Sequence, residues 1–173
     1  MNGLSVVILL KILGWRDGAW SLREISRSIG VSYSQVHSSY QMLTKVGLIG
    51  RRTQSPAPEV MKEFFVYASK YLFPPTFIGD DIVGMPTAYS SYPLAEKIIS
   101  SSAPIVWEHS EGEVLGKGLK PIHAKIPDIC LQDRQIYSFI VCLDALRIGR
   151  SREVVIAKEW IVKTIDEQGA RFV

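Results

Sequence analysis

The segment DALRIGRSRE gathers five charged side chains that could bind an anion or could bind one another: Asp144, Arg147, Arg150, Arg152 and Glu153. Asp144 and Arg147 are three residues apart, a spacing that brings two side chains together on one face of a helix. In one interpretation, the arginines pair with the carboxylates or with helix-end carbonyls, and Gly149 forms a left-handed helix cap. In the other, the three arginines bind the phosphates of a ligand or of nucleic acid. We expect the structural role for Arg147 and leave the other two arginines open.

Histidines and acidic residues are too scattered in the sequence to predict an enzyme or a metal site. His109 and His123 are fourteen residues apart, and three glutamates cluster in WEHSEGE. A metal site needs three or four converging ligands, and no residues here have the spacing of such a set. The glycine-rich GEVLGKG lacks both the phosphate-loop and the dinucleotide-binding patterns, and no G-x-S-x-G elbow occurs. We therefore expect a protein that is not an enzyme and that has no metal and no cofactor.

Residues 21–49, SLREISRSIGVSYSQVHSSYQMLTKVGLI, predict two short helices joined by a tight turn. Each helix begins with the spacing of a capping box, S-x-x-E at Ser21 and S-x-x-Q at Ser32. Apolar residues then recur at helical spacing, at Leu22, Ile25 and Ile29 and again at Val36, Tyr40, Leu43 and Val46. With the apolar helix Leu4–Leu13 before them and GLIGRR after them, these elements match a winged helix-turn-helix.

The outer face of the second of these helices consists of small and hydrogen-bonding side chains, namely Tyr33, Ser34, Gln35, His37, Ser38 and Gln41. No acidic residue occurs from Val31 to Gln41, whereas an ordinary solvated helix face carries pairs of Glu and Lys. Such a face suits the major groove of DNA, where a Gln side chain can bond an adenine edge. Serine hydroxyls and the free N–H groups at the start of the helix can meet phosphate oxygens.

Further DNA contacts are expected from Ser32, Lys45 and the basic pair Arg51 and Arg52, because a wing commonly straddles the phosphate backbone. A helix-turn-helix that binds protein instead of DNA is the alternative, and Arg51 and Arg52 would then be a solvated surface pair.

The charged residues are unevenly distributed along the chain, whose 173 residues carry a net charge of +3. Residues 1–56 contain seven Lys or Arg and two Asp or Glu, which gives a net charge of +5. The remainder contains 13 basic and 15 acidic residues, which gives a net charge of −2. A basic first third indicates an anionic partner for that part of the chain.

The clearest boundary is TQSPAPE, whose two prolines, Pro56 and Pro58, break any preceding element. We predict an α+β fold, with a winged helix-turn-helix domain over residues 1–55 and a mixed C-terminal dimerisation or sensor domain over residues 56–173. Apolar residues make up 47% of the chain, enough for a core in each part.

The C-terminal part begins with an amphipathic helix, EVMKEFFVYASKYLF. Residues 74–127 have little periodicity, with APIVW as a short strand. Two helices, Leu131–Ile148 and a second from Ser151 to about Glu167, would end the chain as a helical hairpin joined at IGRSRE.

Cys130 and Cys142 lie in apolar surroundings and predict buried free thiols in a reducing compartment. LSVVILLKILG lacks the basic region and the cleavage site of a signal peptide. No stretch reaches the roughly 18–20 apolar residues that span a bilayer. We therefore expect a cytoplasmic protein with no membrane partner.

SLREISRSIGVSYSQVHSSYQMLTKVGLIGRR resembles the winged helix-turn-helix of bacterial and archaeal transcriptional regulators of the broad MarR-like kind, over about residues 4–53. The resemblance implies DNA binding but specifies neither the operator nor the regulated process. One departure concerns the wing, because Pro56 and Pro58 should cut off the return strand of a two-stranded hairpin.

The rest of the chain, with YLFPP, GMPTA and DALRIGRSRE, resembles the C-terminal domains of bacterial antitoxin-type regulators. We therefore expect a homodimeric, sequence-specific regulator that binds double-stranded DNA and represses by operator occupancy. The C-terminal domain could also bind a small ligand or a partner protein. The alternative is an antitoxin-like adaptor, whose C-terminal domain binds and silences a partner enzyme.

Overall fold

The computed structural model describes residues 1–16, 20–98 and 102–172, and its architecture is α+β, as predicted. The chain divides into two compact units. One unit contains Met1–Glu63 together with Lys163–Val173, and the other contains Phe64–Val162. The sequence places a boundary between residues 55 and 56 and assigns the C-terminal residues to the second domain; in the structure, those residues belong to the first unit.

The first unit is built around an apolar helix, α1 (Gly3–Gly14), which is buried along nearly its whole length. Two further helices, α2 (Leu22–Ile29) and α3 (Tyr33–Lys45), both contact α1. A helix that is apolar on every side can be stable in water only when its neighbours cover it, so α1 is the core of this unit. Helix α4 (Pro58–Glu63) follows a short hairpin.

The C-terminal end of the chain is anchored in the same unit by polar contacts. Lys62 donates to Asp166 at 2.8 Å. The Arg171 guanidinium donates to the main-chain oxygens of Leu13 at 2.9 Å and Trp15 at 3.1 Å, at the end of α1. Carbonyls at a helix end have no partner within the helix, so a guanidinium there satisfies otherwise unpaired acceptors.

The predicted amphipathic helix after residue 58 is interrupted. Between α4 and the short α5 (Ser69–Leu72) lies a π-helical turn, Phe64–Ala68. The Ser69 hydroxyl donates to the Phe65 carbonyl at 2.7 Å, which satisfies an acceptor where the regular hydrogen-bond pattern changes.

In the described residues of the second unit, three strands form a small closed sheet: β1 (Phe77–Thr87), β2 (Ile105–Glu108) and β3 (Val114–Leu119). β1 pairs antiparallel with both β2 and β3, and β2 pairs parallel with β3. The strands approach so closely that position 84 requires glycine, because a Cβ at Gly84 would lie 1.9 Å from the Trp107 carbonyl oxygen. β2 confirms the strand predicted at APIVW. The expectation that residues 74–127 are otherwise irregular is wrong, because β1 and β3 also lie in this segment.

Three helices follow: α6 (Ile126–Gln132), α7 (Arg134–Ile148) and α8 (Ser151–Gly169). The single predicted helix over 131–148 is therefore broken at Asp133, whose carboxylate accepts the Gln135 and Ile136 N–H groups at 3.1 Å each. Asp133 is thus the N-cap of α7, a role that satisfies two of the four unpaired N–H groups.

The junction of α7 and α8 is two residues long, Gly149 and Arg150. The predicted left-handed cap at Gly149 is wrong, since its φ of −69° and ψ of 154° are extended. Glycine is required there for space instead, because a Cβ would lie 2.3 Å from the Ala145 carbonyl oxygen.

Cys130 and Cys142 are buried free thiols, as predicted. Burial raises the pKa of both thiols, which keeps them protonated and unreactive. Over the described ranges, the structure has no helix with the length and apolar character needed to cross a bilayer.

Candidate nucleic-acid interface

Helix α3 begins with a complete capping box, as the S-x-x-Q spacing predicts. The Ser32 hydroxyl oxygen accepts the Gln35 backbone N–H at 3.3 Å. In return, Gln35 Oε1 accepts the Ser32 backbone N–H at 3.1 Å and the Ser32 hydroxyl at 2.9 Å. Two unpaired N–H groups are satisfied in this way, which fixes where α3 begins.

The capping box restricts what Gln35 can do at a nucleic acid. Bidentate recognition of adenine uses both the oxygen and the nitrogen of the amide. In the structure the oxygen already serves the helix cap, so only the amide NH₂ group is available while the cap is closed. Gln35 therefore has a structural role at the start of α3.

The preceding helix is capped in a related manner. Ser21 is the N-cap of α2, and its hydroxyl donates to the Glu24 carboxylate at 2.6 Å. Gly30 ends α2 with a φ of 62°, a left-handed conformation that glycine adopts without strain. The turn between the helices is therefore defined on both sides, by Gly30 and by the Ser32 capping box.

The two faces of α3 separate as the sequence predicts, except at Tyr40 and Val46. Val36 and Leu43 are fully buried, and Ser39 is buried beside them. Tyr40 is only half-buried, with its ring in edge contact with Trp20. Val46, predicted to be buried, is 49% exposed, because α3 ends at Lys45 and Val46 no longer follows the helical stripe.

The outward face of α3 contains the predicted DNA-contacting residues. All but His37 are exposed; His37 is half-buried and its ring stacks on that of Tyr33, with centroids 6.0 Å apart. Ser34 lies next to the cap, with its hydroxyl oxygen 3.0 Å from that of Ser32. Ser38 and Gln41 are one turn further along and are not engaged in the cap. This face therefore presents hydroxyl, imidazole and amide groups without an acidic residue.

A short hairpin follows α3 and places Arg51 and Arg52 at an exposed tip. Its two limbs are joined by Gly50 N–H donating to the Ser55 carbonyl at 2.8 Å and Ala57 N–H donating to the Leu48 carbonyl at 3.0 Å.

Over residues 46–57, all of which the structure describes, no return strand forms, in agreement with the expected effect of the prolines; the two limbs pair through a single bridge. Pro56 pairs with Ile49 as an antiparallel bridge between the two hydrogen-bonded pairs. At that position the backbone nitrogen faces away from the opposite limb, so proline removes no hydrogen bond. Pro58 lies beyond the hairpin, at the start of α4.

A shallow depression of about 380 Å³ lies between α3 and the hairpin, and apolar atoms of its lining side chains form most of its surface: Tyr40, Gln41, Thr44, Lys45 and Arg51. Residues 21–57 carry five basic side chains and one acidic side chain, a net charge of +4. The single carboxylate, Glu24, is held by the Ser21 hydroxyl. This segment therefore carries an excess of positive charge, and Lys45 and Arg51 place two of its cations at the depression.

The predicted charged set in DALRIGRSRE divides into two parts. Asp144 is fully buried and accepts the Thr87 hydroxyl and the Trp107 indole N–H, each at 2.8 Å. Arg147 donates to the second carboxylate oxygen of Asp144 and, through Nε, to the Phe73 carbonyl at 2.7 Å. Burial raises the pKa of the Asp144 carboxyl, while the guanidinium and the two neutral donors act in the opposite direction.

The remaining members of the set lie at the start of α8. Glu153 is buried, and its carboxylate accepts the Arg150 backbone N–H at 2.7 Å. The side chains of Arg150 and Arg152 are exposed, and Arg152 reaches the Lys97 carbonyl at 3.5 Å. The structure therefore pairs Arg147 with a carboxylate and places Arg150 and Arg152 at the surface.

Thr87 and Trp107 are members of the Asp144 network that could not be identified from the sequence. The only signal was an aspartate within the apolar run FIVCLDALRI, since a buried carboxylate requires donors. Nothing in the sequence identifies those donors, because Thr87 is 57 residues away and Trp107 is 37 residues away.

The two candidate histidines are engaged in local contacts. His109 Nε2 lies 3.1 Å from the Asp128 carboxylate, and its Nδ1 accepts the Glu111 backbone N–H at 3.2 Å. His123 Nδ1 accepts the Lys125 backbone N–H at 3.2 Å. Within the described residues, no three His, Cys, Asp or Glu side chains converge as a metal-binding group.

Comparisons of the chain with protein-family models, with curated proteins and with solved structures find no match.

Proposed function

We propose that the chain is a DNA-binding transcriptional regulator that acts by occupying its operator. The observation that supports this function best is the exposed face of α3, a hydrogen-bonding surface without carboxylates beside a hairpin tipped by Arg51 and Arg52. An α-helix fits the major groove, and phosphates on either side attract the basic tip.

In this proposal, the contacts divide between the sugar–phosphate backbone and the bases. Ser32 and Ser34, at the N-terminus of α3, contact phosphate together with Lys45, Arg51 and Arg52. Three side chains on the α3 face, His37, Ser38 and Gln41, read base edges. Tyr33 packs on His37 and orients it. Gln35 maintains the helix cap and contributes at most its amide NH₂.

Replacing both Arg51 and Arg52 with alanine should weaken binding to any duplex and make it less sensitive to salt. Each phosphate that a cationic side chain neutralises releases counterions, so the slope of log K against log salt should become shallower by about 0.9 for each phosphate that is no longer neutralised. Fluorescence anisotropy of a labelled duplex over a range of salt concentrations measures this slope.

The matched control is Lys163→Ala, which also removes an exposed positive charge from the first unit but at a residue 3.7 Å from the Glu167 carboxylate. That variant should keep the wild-type slope. Equal slopes for the arginine double variant and the wild type would contradict a role for the hairpin at the phosphate backbone.

We also propose that the regulator is a homodimer held through residues after 56. One winged helix covers only a half-site, and two-fold pairing doubles the contacts with DNA. The second unit carries large exposed side chains suited to such an interface, with Tyr67 at 67% and Tyr71 at 75% exposure. Lysines accompany both rings, since Lys158 lies 5.7 Å from the Tyr67 centroid and Lys70 lies 4.8 Å from the Tyr71 centroid.

Light scattering at micromolar concentration should give the mass of a dimer, and Tyr67→Ser with Tyr71→Ser should give the mass of a monomer. Tyr92→Ser, which removes another exposed tyrosine from the same unit, serves as the control and should remain dimeric. A monomeric wild type, with and without DNA, would refute the dimer.

A further inference from the structure

A pocket of about 260 Å³ opens in the second unit. Its walls come from β1, β2, β3 and the junction between α7 and α8, with a side contributed by the single turn Ala88–Ser90. The apolar part of the lining is formed by Phe77, Ile105 and Ile148. A concave site with an apolar wall and a few polar groups is the usual form of a small-molecule site.

Two cationic side chains, Lys117 and Arg150, line the same pocket. The Lys117 ammonium lies 4.4 Å from the Phe77 ring centroid, so charge and aromatic wall are adjacent. Neither cation forms a salt bridge with any residue that the structure describes. Two cations beside an apolar wall favour an anionic ligand, because a negative charge in the pocket is attracted to both of them.

One carboxylate, that of Glu153, also lines the pocket, so its charged lining residues are two cations and one anion. Its oxygen accepts the Arg150 backbone N–H at 2.7 Å, so the carboxylate is fixed at the start of α8. Tyr89 is affected by these charges, since burial and the Glu153 carboxylate raise its pKa and the Arg150 guanidinium lowers it. The phenol therefore stays protonated at neutral pH.

Hydrogen bonds to main-chain groups fix the residues that line the pocket. Lys117 N–H donates to the Pro104 carbonyl at 2.7 Å, and Ile105 N–H donates to the Ser90 hydroxyl oxygen at 2.9 Å. The Tyr89 hydroxyl donates to the Ala103 carbonyl at 2.8 Å. Preformed walls reduce the entropy cost of binding, which favours a specific ligand over nonspecific ion uptake.

From this geometry we infer that the pocket binds a small organic anion, with its carboxylate or phosphate group between Lys117 and Arg150 and its apolar body against Phe77, Ile105 and Ile148. The inference goes beyond the proposed DNA binding and does not depend on it. A cavity of this volume can hold a compact ligand with one charged group and one small ring or short chain.

Isothermal titration calorimetry on the full chain tests the inference with four probes: benzoate, phenyl phosphate, inorganic phosphate and benzylamine. Benzoate or phenyl phosphate should bind saturably with a stoichiometry of one per chain. Inorganic phosphate should bind at least about tenfold more weakly, because it lacks the apolar body. Benzylamine should not bind, because it has the ring but the opposite charge.

Single variants locate the site. Lys117→Met and Arg150→Met should each weaken binding of the favoured probe by about tenfold or more, since each removes a charge-assisted hydrogen bond. Arg152→Met is the matched control, because it removes an exposed arginine from the same helix start without altering the lining. Circular dichroism spectra must show that all three variants fold.

Several outcomes would overturn the inference. No saturable binding of benzoate or phenyl phosphate would show that the pocket is not an organic-anion site. Equal affinities for inorganic phosphate and phenyl phosphate would show that the apolar wall does not contribute to binding. An equal effect of Arg152→Met and Arg150→Met would place the anion at the α8 surface instead of in the pocket.

Discussion

Arg147→Ala should lower the free energy of unfolding by about 3–5 kcal/mol, the cost of leaving one charge of a buried pair without its partner. Asp144 is fully buried, and the Arg147 guanidinium beside it is only 3% exposed. The substitution also leaves the Phe73 carbonyl without the Arg147 donor. Urea denaturation followed by circular dichroism measures the change.

Exposed arginines near Arg147 in sequence provide the controls. Arg150→Ala and Arg152→Ala should each change stability by no more than about 0.5 kcal/mol, as surface substitutions usually do. Combining Arg147→Met with Asp144→Asn should cost less than Arg147→Met alone, because the unpaired buried charge is then removed. An Arg147→Ala protein that unfolds like the wild type but no longer binds DNA would contradict the structural role and assign the arginine to phosphate recognition.

Ser38→Ala combined with Gln41→Ala should weaken binding to a selected operator by a few kcal/mol, given about 1–3 kcal/mol for each good base contact. Both side chains are exposed on α3 and neither belongs to the capping box, so the melting temperature should stay near that of the wild type. Binding to a random duplex should change little, because phosphate contacts remain. Anisotropy titrations with both duplexes measure the two affinities.

Gln35→Ala is the informative comparison for that double variant. It should lower stability by about 1 kcal/mol, since it opens half of the capping box, and should weaken specific and nonspecific binding together. If the Ser38 and Gln41 double variant binds the selected operator as tightly as the wild type, α3 does not read the bases through this face.

The parts of the fold that follow from local chemistry could be predicted from the sequence. The Ser32 capping box, the apolar helix α1 and the break at Gly30 each depend on residues within one or two turns of one another. Such features need no knowledge of the rest of the chain, because the hydrogen bonds or steric limits that define them are local.

Features that depend on distant residues were not predictable in the same way. β1 carries FIGDDIVGMPT, which has no strict alternation, and its register is shifted twice against β3. Its strand conformation is set by pairing with both other strands, a tertiary effect. The return of residues 163–172 to the first unit likewise depends on contacts such as that of Arg171 with the Leu13 carbonyl.

The candidate interface contains both kinds of feature, those that local chemistry predicts and those that the sequence pattern does not reveal. Residue types and helical geometry predicted which α3 side chains face outward. The base-reading role of Gln35 stays a prediction, and the structure adds that the capping box occupies the Gln35 oxygen. The hydrogen bonds that form the single bridge at Pro56 depend on the pairing of the two limbs, which the sequence pattern does not reveal.

Selection of bound sequences from a random duplex library tests the central proposal most directly. The full wild-type chain should enrich one motif over successive rounds at physiological salt, and that motif should contain two half-sites related by two-fold symmetry. The Ser38 and Gln41 double variant should fail to enrich the motif while still retaining duplex at low salt, because its phosphate contacts remain. A wild-type chain that retains no duplex at low salt, or that enriches no motif, would contradict the account of α3 as a DNA-reading helix.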